Sequence, residues 1–258
     1  LEGHRDKAII GTKVDLFRKD VKNVDAVVSK WVDGSLGRLR TDVIDILYLH
    51  SHPEPHRFDN NGNITSISLT VDEVLGPVLE AFRKVQKAGK VRFIGIPNMR
   101  RHMPSVKQIL KSAQFDVMLA HYNLLDWTSQ EPLPPGVPLF NHGQTIPLAK
   151  SLNMGVVCIR SHAMGALTTQ LDRPDNGGSM AENIAKASTL KFLLEKPIQT
   201  LSQAAMIFCL MNDDIDTSVP GVKNVSEIEE LAGCIDLPYL PPQHIARLRK
   251  LYALNFQN

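Results

Sequence analysis

At 258 residues, with 43% hydrophobic content and a formal charge of +2, the chain suits either one large α/β domain or two small ones and has ample apolar material for a packed core. Its lysines and arginines are scattered among carboxylates and form no stripe, which argues against nucleic acid and acidic membranes as partners. The start LEGHRDKAII is too polar for a signal peptide, no segment approaches the ~18 apolar residues of a membrane span, and three separated cysteines, Cys158, Cys209 and Cys234, suit reduced thiols in a cytoplasmic protein.

Along the chain, β-type runs at 7–13, 43–50, 91–96, 117–122, 154–160 and 216–222 alternate with segments long enough for a helix each. This predicts an α/β fold with a parallel sheet, its nearly continuous apolar strands buried on both faces. Val24, Val27, Val28 and Trp31 share one helical face before the second run. Pro77 fits a first helical turn, with Val78, Ala81, Phe82 and Val85 on one face and Gly89 as the stop. The stretches 53–70, 128–142 and 169–180 carry Pro, Gly and Asn without periodicity and read as long loops; no composition break marks a second domain.

Parallel α/β proteins place their chemistry at the carboxyl ends of strands. Lys13 closes the first run and His50 the second, so an ammonium and an imidazole share one rim. Asn98, just past the third run, has an amide that both donates and accepts, as a flat carboxamide ligand needs. After the last run Ser226 and Glu229 have capping-box spacing, which predicts a helix N-terminus able to receive phosphate. Each signal has a plainer reading: a solvated rim lysine, a turn asparagine, a mere helix start. The triplet His50-Ser51-His52 also matches a zinc-binding pair of metal-dependent barrel hydrolases, for which His121, His162 and Asp216 are the available further ligands.

Taken together, SLGRLRTDVIDILYLH (35–50), GKVRFIGIPNM (89–99), DTSVPGVKNVSEIEEL (216–231) and GTKV (11–14) resemble, in order and spacing, landmark segments of the aldo-keto reductase superfamily. The LTVDEVLGPVLEAF and HYNLLDW segments resemble an uncharacterised bacterial-type branch. The resemblance implies a (β/α)8 TIM barrel that binds NAD or NADP without a dinucleotide-binding domain and passes hydride to an aldehyde or ketone, or back from the alcohol. By position Lys13 would be the family's lysine, which lowers a tyrosine's pKa, and His50 the residue that orients the substrate carbonyl. Asn98 would hold the nicotinamide carboxamide; Arg160 would stand where many members stack an aromatic ring on the nicotinamide. The 221–230 segment, with Gly221, Lys223, Glu227 and Glu230, would hold the adenosine end. Glu227 replaces an arginine that many members offer the 2′-phosphate, so NAD is slightly favoured.

The family's Asp and Tyr precede its lysine by more residues than the twelve found before Lys13. The expectation is therefore a single incomplete barrel domain over 1–258, a fragment lacking the first two βα units, on the order of 60–70 residues of a typical ~320-residue member. Without its proton donor such a chain is expected to be inactive as given. A non-catalytic nucleotide-binding barrel is the other reading. Phe58 and Trp127 are the apolar candidates for lining a carbonyl pocket.

Overall fold

The computed structural model describes residues 3–55, 68–98, 102–168 and 179–257; the side chains of Arg18, Asn98 and Ser179 lie outside that description. In chain order the elements are β1 (Gly11–Val14), α1 (Val24–Leu39), β2 (Ile44–Leu49), β3 (His52–Glu54), β4 (Ser68–Thr70), α2 (Val71–Glu73), α3 (Leu79–Lys87), β5 (Val91–Asn98), α4 (Met103–Lys111) and β6 (Val117–His121). There follow α5 (Thr145–Ser151), β7 (Gly155–Ile159), α6 (Ser179–Ser188), α7 (Leu201–Leu210), β8 (Thr217–Ser218), α8 (Val225–Ala232) and α9 (Pro242–Ala253). Two compact units share the chain: Leu1–Leu119 with Leu148–Gly155, and Ala120–Pro147 with Val156–Asn258. Among the described residues no helix is long and apolar enough to cross a membrane.

In the first unit β1 pairs in parallel with β2, and β2 with β5; Lys13 lies opposite Tyr48, Val14 opposite Leu49, and Tyr48 opposite Gly95. Parallel neighbours need a crossover of about a dozen residues or more, which α1 and the α2–α3 stretch provide. Because side chains alternate along a strand, Val14, Leu47, Leu49, Ile94 and Ile96 form one face, and all are fully or almost fully buried. The opposite face carries Lys13, Ile46, Tyr48 and Phe93. Tyr48 is buried there, whereas Phe93 is 50% exposed, so the predicted burial of both faces holds for one face and only in part for the other. Tyr48 is accommodated by glycines: a Cβ on Gly11 would stand 3.2 Å from its Cε2, and one on Gly95 would overlap its ring.

Two helical expectations shift. The buried stripe of α1 is Val24, Val28, Val32 and Ser35, while Trp31 is 38% exposed. The stripe follows i, i+4, i+8 and so turns Trp31 outward. Pro77 does not start its helix. The box at Thr70, whose hydroxyl accepts from Glu73 N–H (3.2 Å) while the Glu73 carboxylate accepts from Thr70 N–H (2.9 Å), opens the helix at Val71. A π-turn at Val74–Val78, with Gly76 outside helical geometry, then absorbs the proline. From there Val78, Ala81, Phe82 and Val85 are buried as predicted, and Gly89, at φ +73°, ends the run. The 53–70 stretch is not all loop: β3 and β4 pair in parallel, His52 opposite Ser68.

In the second unit β7 pairs in parallel with β8, Val157 opposite Thr217 and Cys158 opposite Ser218. The last predicted run is thus reduced to two residues of strand. An aromatic stack holds this unit's core: Trp127 lies 4.7 Å from Tyr252 and 5.2 Å from Phe208 between ring centroids, and Tyr122 lies 5.1 Å from Phe208. α7 is buried along most of its length, as a helix apolar on nearly every side must be. Cys158, Cys209 and Cys234 are free and buried.

Candidate active site

The residues just past β1 and β2 lock together. Leu16 N–H donates to Ser51 Oγ (2.8 Å), the Ser51 hydroxyl donates to Leu16 O (3.0 Å), and His50 N–H donates to Val14 O (2.8 Å). Ser51 is fully buried, so both partners of these bonds are removed from competing water. The lock brings Asp15 to His50: Asp15 Oδ1 is 2.8 Å from His50 Nδ1, with about a third of each side chain exposed. A carboxylate can only accept, so Nδ1 carries the hydrogen. Nε2 then accepts from an alcohol when the ring is neutral and donates to a carbonyl when it is charged. Asp15 was missed in the sequence. The signal was its place two residues past Lys13, where a strand-end imidazole on the next strand would need an orienting carboxylate.

Lys13, the third residue of β1, is exposed and has no ion-pair partner among the described residues. Opposite it Tyr48 is a packing residue, its phenol pushed up to about 12 by burial. Tyr122 and Tyr252 are likewise buried, and burial raises both phenols further. Tyr239 is 62% exposed, in the segment between α8 and α9. The three buried tyrosines are therefore shifted away from acidity. Asn98 is the last residue of β5. His56 and Phe58 lie outside the described residues.

The remaining candidates belong to the second unit. Arg160, directly after β7, is exposed and holds the left-handed backbone at φ 63°; its carbonyl accepts from Asn123 Nδ2 (3.1 Å) and Ala163 N–H (2.8 Å). The helix at 225 starts one residue before the predicted cap. Asn224 Oδ1 accepts from Glu227 N–H (2.9 Å), and Glu227 accepts from Lys223 N–H (2.7 Å) and Asn224 Nδ2 (3.1 Å). The Ser226 hydroxyl donates to Asn224 Oδ1 (2.7 Å). Ser226 and Glu229 are thus not the capping pair; asparagine with a glutamate at the third helical position takes that role, placing Glu227 across the N-terminus. Glu230 accepts from the hydroxyl of Thr200, the N-cap of α7. Gly221 and Lys223 are exposed, and Val219, Val222, Val225 and Ile228 leave apolar surface open along the same segment.

The zinc-hydrolase ligand set is not assembled among the described residues. His162, its basicity lowered chiefly by burial, has its ring nitrogens within hydrogen-bond distance of Ser161 Oγ (3.1 Å) and Ser202 Oγ (3.0 Å), and Asp216 accepts from Val156 N–H (2.7 Å). Among the described residues His50 and His52 belong to no group of three metal-type side chains. Trp127 is no pocket residue: it is 2% exposed, stacked in the core, and its indole N–H donates to Leu124 O (3.0 Å). Its neighbouring prolines and glycine suggested an open loop, but the ring is the largest apolar group there and is drawn inward.

Comparison with known proteins gives this arrangement a context. A sequence profile described as "Aldo/keto reductase family" matches residues 1–253. L-galactose dehydrogenase of Arabidopsis thaliana is 27% identical over 233 residues, covering 89% of this chain and 64% of that protein. The uncharacterized oxidoreductase YqkF of Bacillus subtilis is 19% identical over 252 residues, covering 88% of this chain and 72% of its own. An aldo-keto reductase of Babesia bovis is 33% identical over 139 residues, covering 46% of this chain and 48% of its own. Among solved structures, the aldo-keto reductase AKR11C1 from Bacillus halodurans is 23% identical and covers 97% of this chain and 74% of its own, with TM-scores of 0.66 for the apo form and 0.70 for the holo form. That likeness shows a shared fold, in keeping with the parallel α/β architecture of the barrel type predicted from the sequence.

Proposed function

This chain belongs to the aldo/keto reductase family, and from that premise we propose that it serves a nicotinamide-dependent oxidoreductase acting on the carbonyl of an aldehyde or ketone, or on the corresponding alcohol. The observation that carries the reading is the Asp15–His50 pair (2.8 Å) at the strand exits beside Lys13. In this reading the nicotinamide supplies the hydride when bound. His50 receives the substrate oxygen at Nε2, with Asp15 holding the ring by Nδ1. Lys13 contributes a positive charge that favours a developing alkoxide.

For the cofactor, Asn98 would hold the carboxamide, and Arg160 would stack on the ring or pair with a phosphate. The second unit's 221–230 segment would hold the adenosine end. Its fit is supported by an exposed helix N-terminus, the cation of Lys223 and the open apolar surface of Val222 and Val225. Glu227, fixed across that N-terminus, would repel a 2′-phosphate and so favours NAD slightly over NADP. A cytoplasmic location fits the three free thiols.

None of the four tyrosines matches the family's proton donor, so these 258 residues assayed by themselves are proposed to be inactive or slowed by about 10²–10⁴-fold. The test is deuterium transfer from a nicotinamide-deuterated cofactor to a panel of aldehydes and ketones. A slow but His50-dependent transfer supports the reading. Saturable nucleotide binding with no transfer favours a non-catalytic nucleotide-binding role; a fully competent rate means that another group supplies the proton.

A further inference from the structure

Two stacked histidines and a buried aspartate in the second unit form a cluster that none of the chemistry above uses. His121 closes β6, His142 lies just before α5, and Asp126 sits in the turn between; their side chains are 17%, 0% and 5% exposed. The two imidazoles stack with centroids 4.6 Å apart and planes inclined by 26°. Asn123 shapes the turn, its Oδ1 accepting from the N–H groups of Leu125 (2.9 Å) and Asp126 (3.1 Å). Thr128 ties the turn to the later stretch: its hydroxyl lies 2.9 Å from Phe140 O, and its Oγ1 accepts from His142 N–H (3.1 Å).

The two oxygens of Asp126 are unequal. Oδ1 accepts from the N–H (3.1 Å) and hydroxyl (2.7 Å) of Thr128. Oδ2 is buried and accepts no hydrogen bond. It faces His121 Nε2 at 3.6 Å and His142 Nε2 at 3.7 Å, both too long for hydrogen bonds. Asn123 Nδ2, 3.3 Å from His121 Nε2, can only donate, so that nitrogen is an acceptor whose lone pair a metal ion would take over from the amide. A buried carboxylate oxygen without a donor is costly, and a cation among these atoms would remove the cost.

The spacing suits one. With ligand bonds of about 2.0–2.1 Å, a tetrahedral zinc site separates adjacent ligand atoms by about 3.4 Å. The ligand atoms of these three residues all lie within 4.8 Å of one another, so modest side-chain shifts close the site. Two imidazole nitrogens and one carboxylate oxygen favour zinc over calcium or magnesium, which take oxygen ligands. We propose that His121, Asp126 and His142 bind a zinc ion that pins the end of β6, the following turn and the 142 stretch together.

The test uses the intact 258-residue chain, stripped with a chelator and then titrated with zinc chloride under calorimetry and histidine-ring NMR. One zinc per chain is expected, with a higher Tm and the ring signals of His121 and His142 moving together. Asp126→Asn and His121→Gln should each weaken binding by at least about a hundredfold. Should either variant fail to fold, the wild-type NMR still decides. A folded, stripped chain that takes up no stoichiometric zinc overturns the proposal. Zinc that moves other rings, or that binds His121→Gln unchanged, overturns it equally.

Discussion

Asp15 Oδ1 stands 2.8 Å from Nδ1 of His50, so a residue just past β1 fixes the ring of a residue just past β2. If Asp15 sets the tautomer, Asp15→Ala shifts neutral His50 from the Nδ1–H form toward a mixture with Nε2–H, read by ring ¹⁵N shifts. With about a third of each side chain exposed, the stability cost should be at most about 1 kcal/mol. An unchanged tautomer would mean that Asp15 does not orient the ring.

Tyr48 and Gly95 face each other across β2 and β5 with no room for a methyl group. Gly95→Ala should cost about 1–3 kcal/mol in chemical unfolding, because the buried ring has to leave its position. Combined with Tyr48→Leu, the cost should be less than additive, and a double-mutant cycle measures the coupling.

Asn224, not Ser226, caps α8. Asn224→Ala should destabilise this exposed helix by about 1 kcal/mol, seen as faster amide exchange in its first turns. Ser226→Ala should stay within about 0.5 kcal/mol. The reverse ranking would restore the cap expected from the sequence.

Asp45 accepts from Ile10 N–H (2.8 Å), Arg5 (2.7 Å) and Arg92 (2.8 Å). Burial opposes its ionisation, but the Ile10 N–H and the two guanidiniums outweigh it and hold the carboxyl below its usual range. Since the folded value is depressed, the stabilisation is fully present above the ordinary carboxylate pKa of about 3.9 and is lost as pH falls through the lower folded value. Asp45→Asn should remove that part of the acid limb in unfolding titrations and lower stability at neutral pH.

Much of the strand pattern was legible because apolar runs of parallel strands stand out between helical segments, and each of the six predicted runs overlaps an observed strand, the last by only two residues. Lys13, His50 and Asn98 could be placed at strand ends from spacing alone. What could not be read depends on which side chains meet. Asn224 and Ser226 both cap well, and only the helix start chooses between them. Trp31 and Val32 differ by one position on a helix whose orientation the sequence leaves open. Asp126 and His142 are separated by a stretch without periodicity, and nothing in their spacing tells that Thr128 folds that stretch back.

The most direct test of the central claim is a titration of the folded 258-residue chain with NADH and NADPH, followed by nucleotide fluorescence. Saturable binding is predicted, with NADH at least as tight as NADPH, and Asn98→Ala and Lys223→Ala should each weaken it. A folded chain that binds neither nucleotide would contradict the proposed oxidoreductase site.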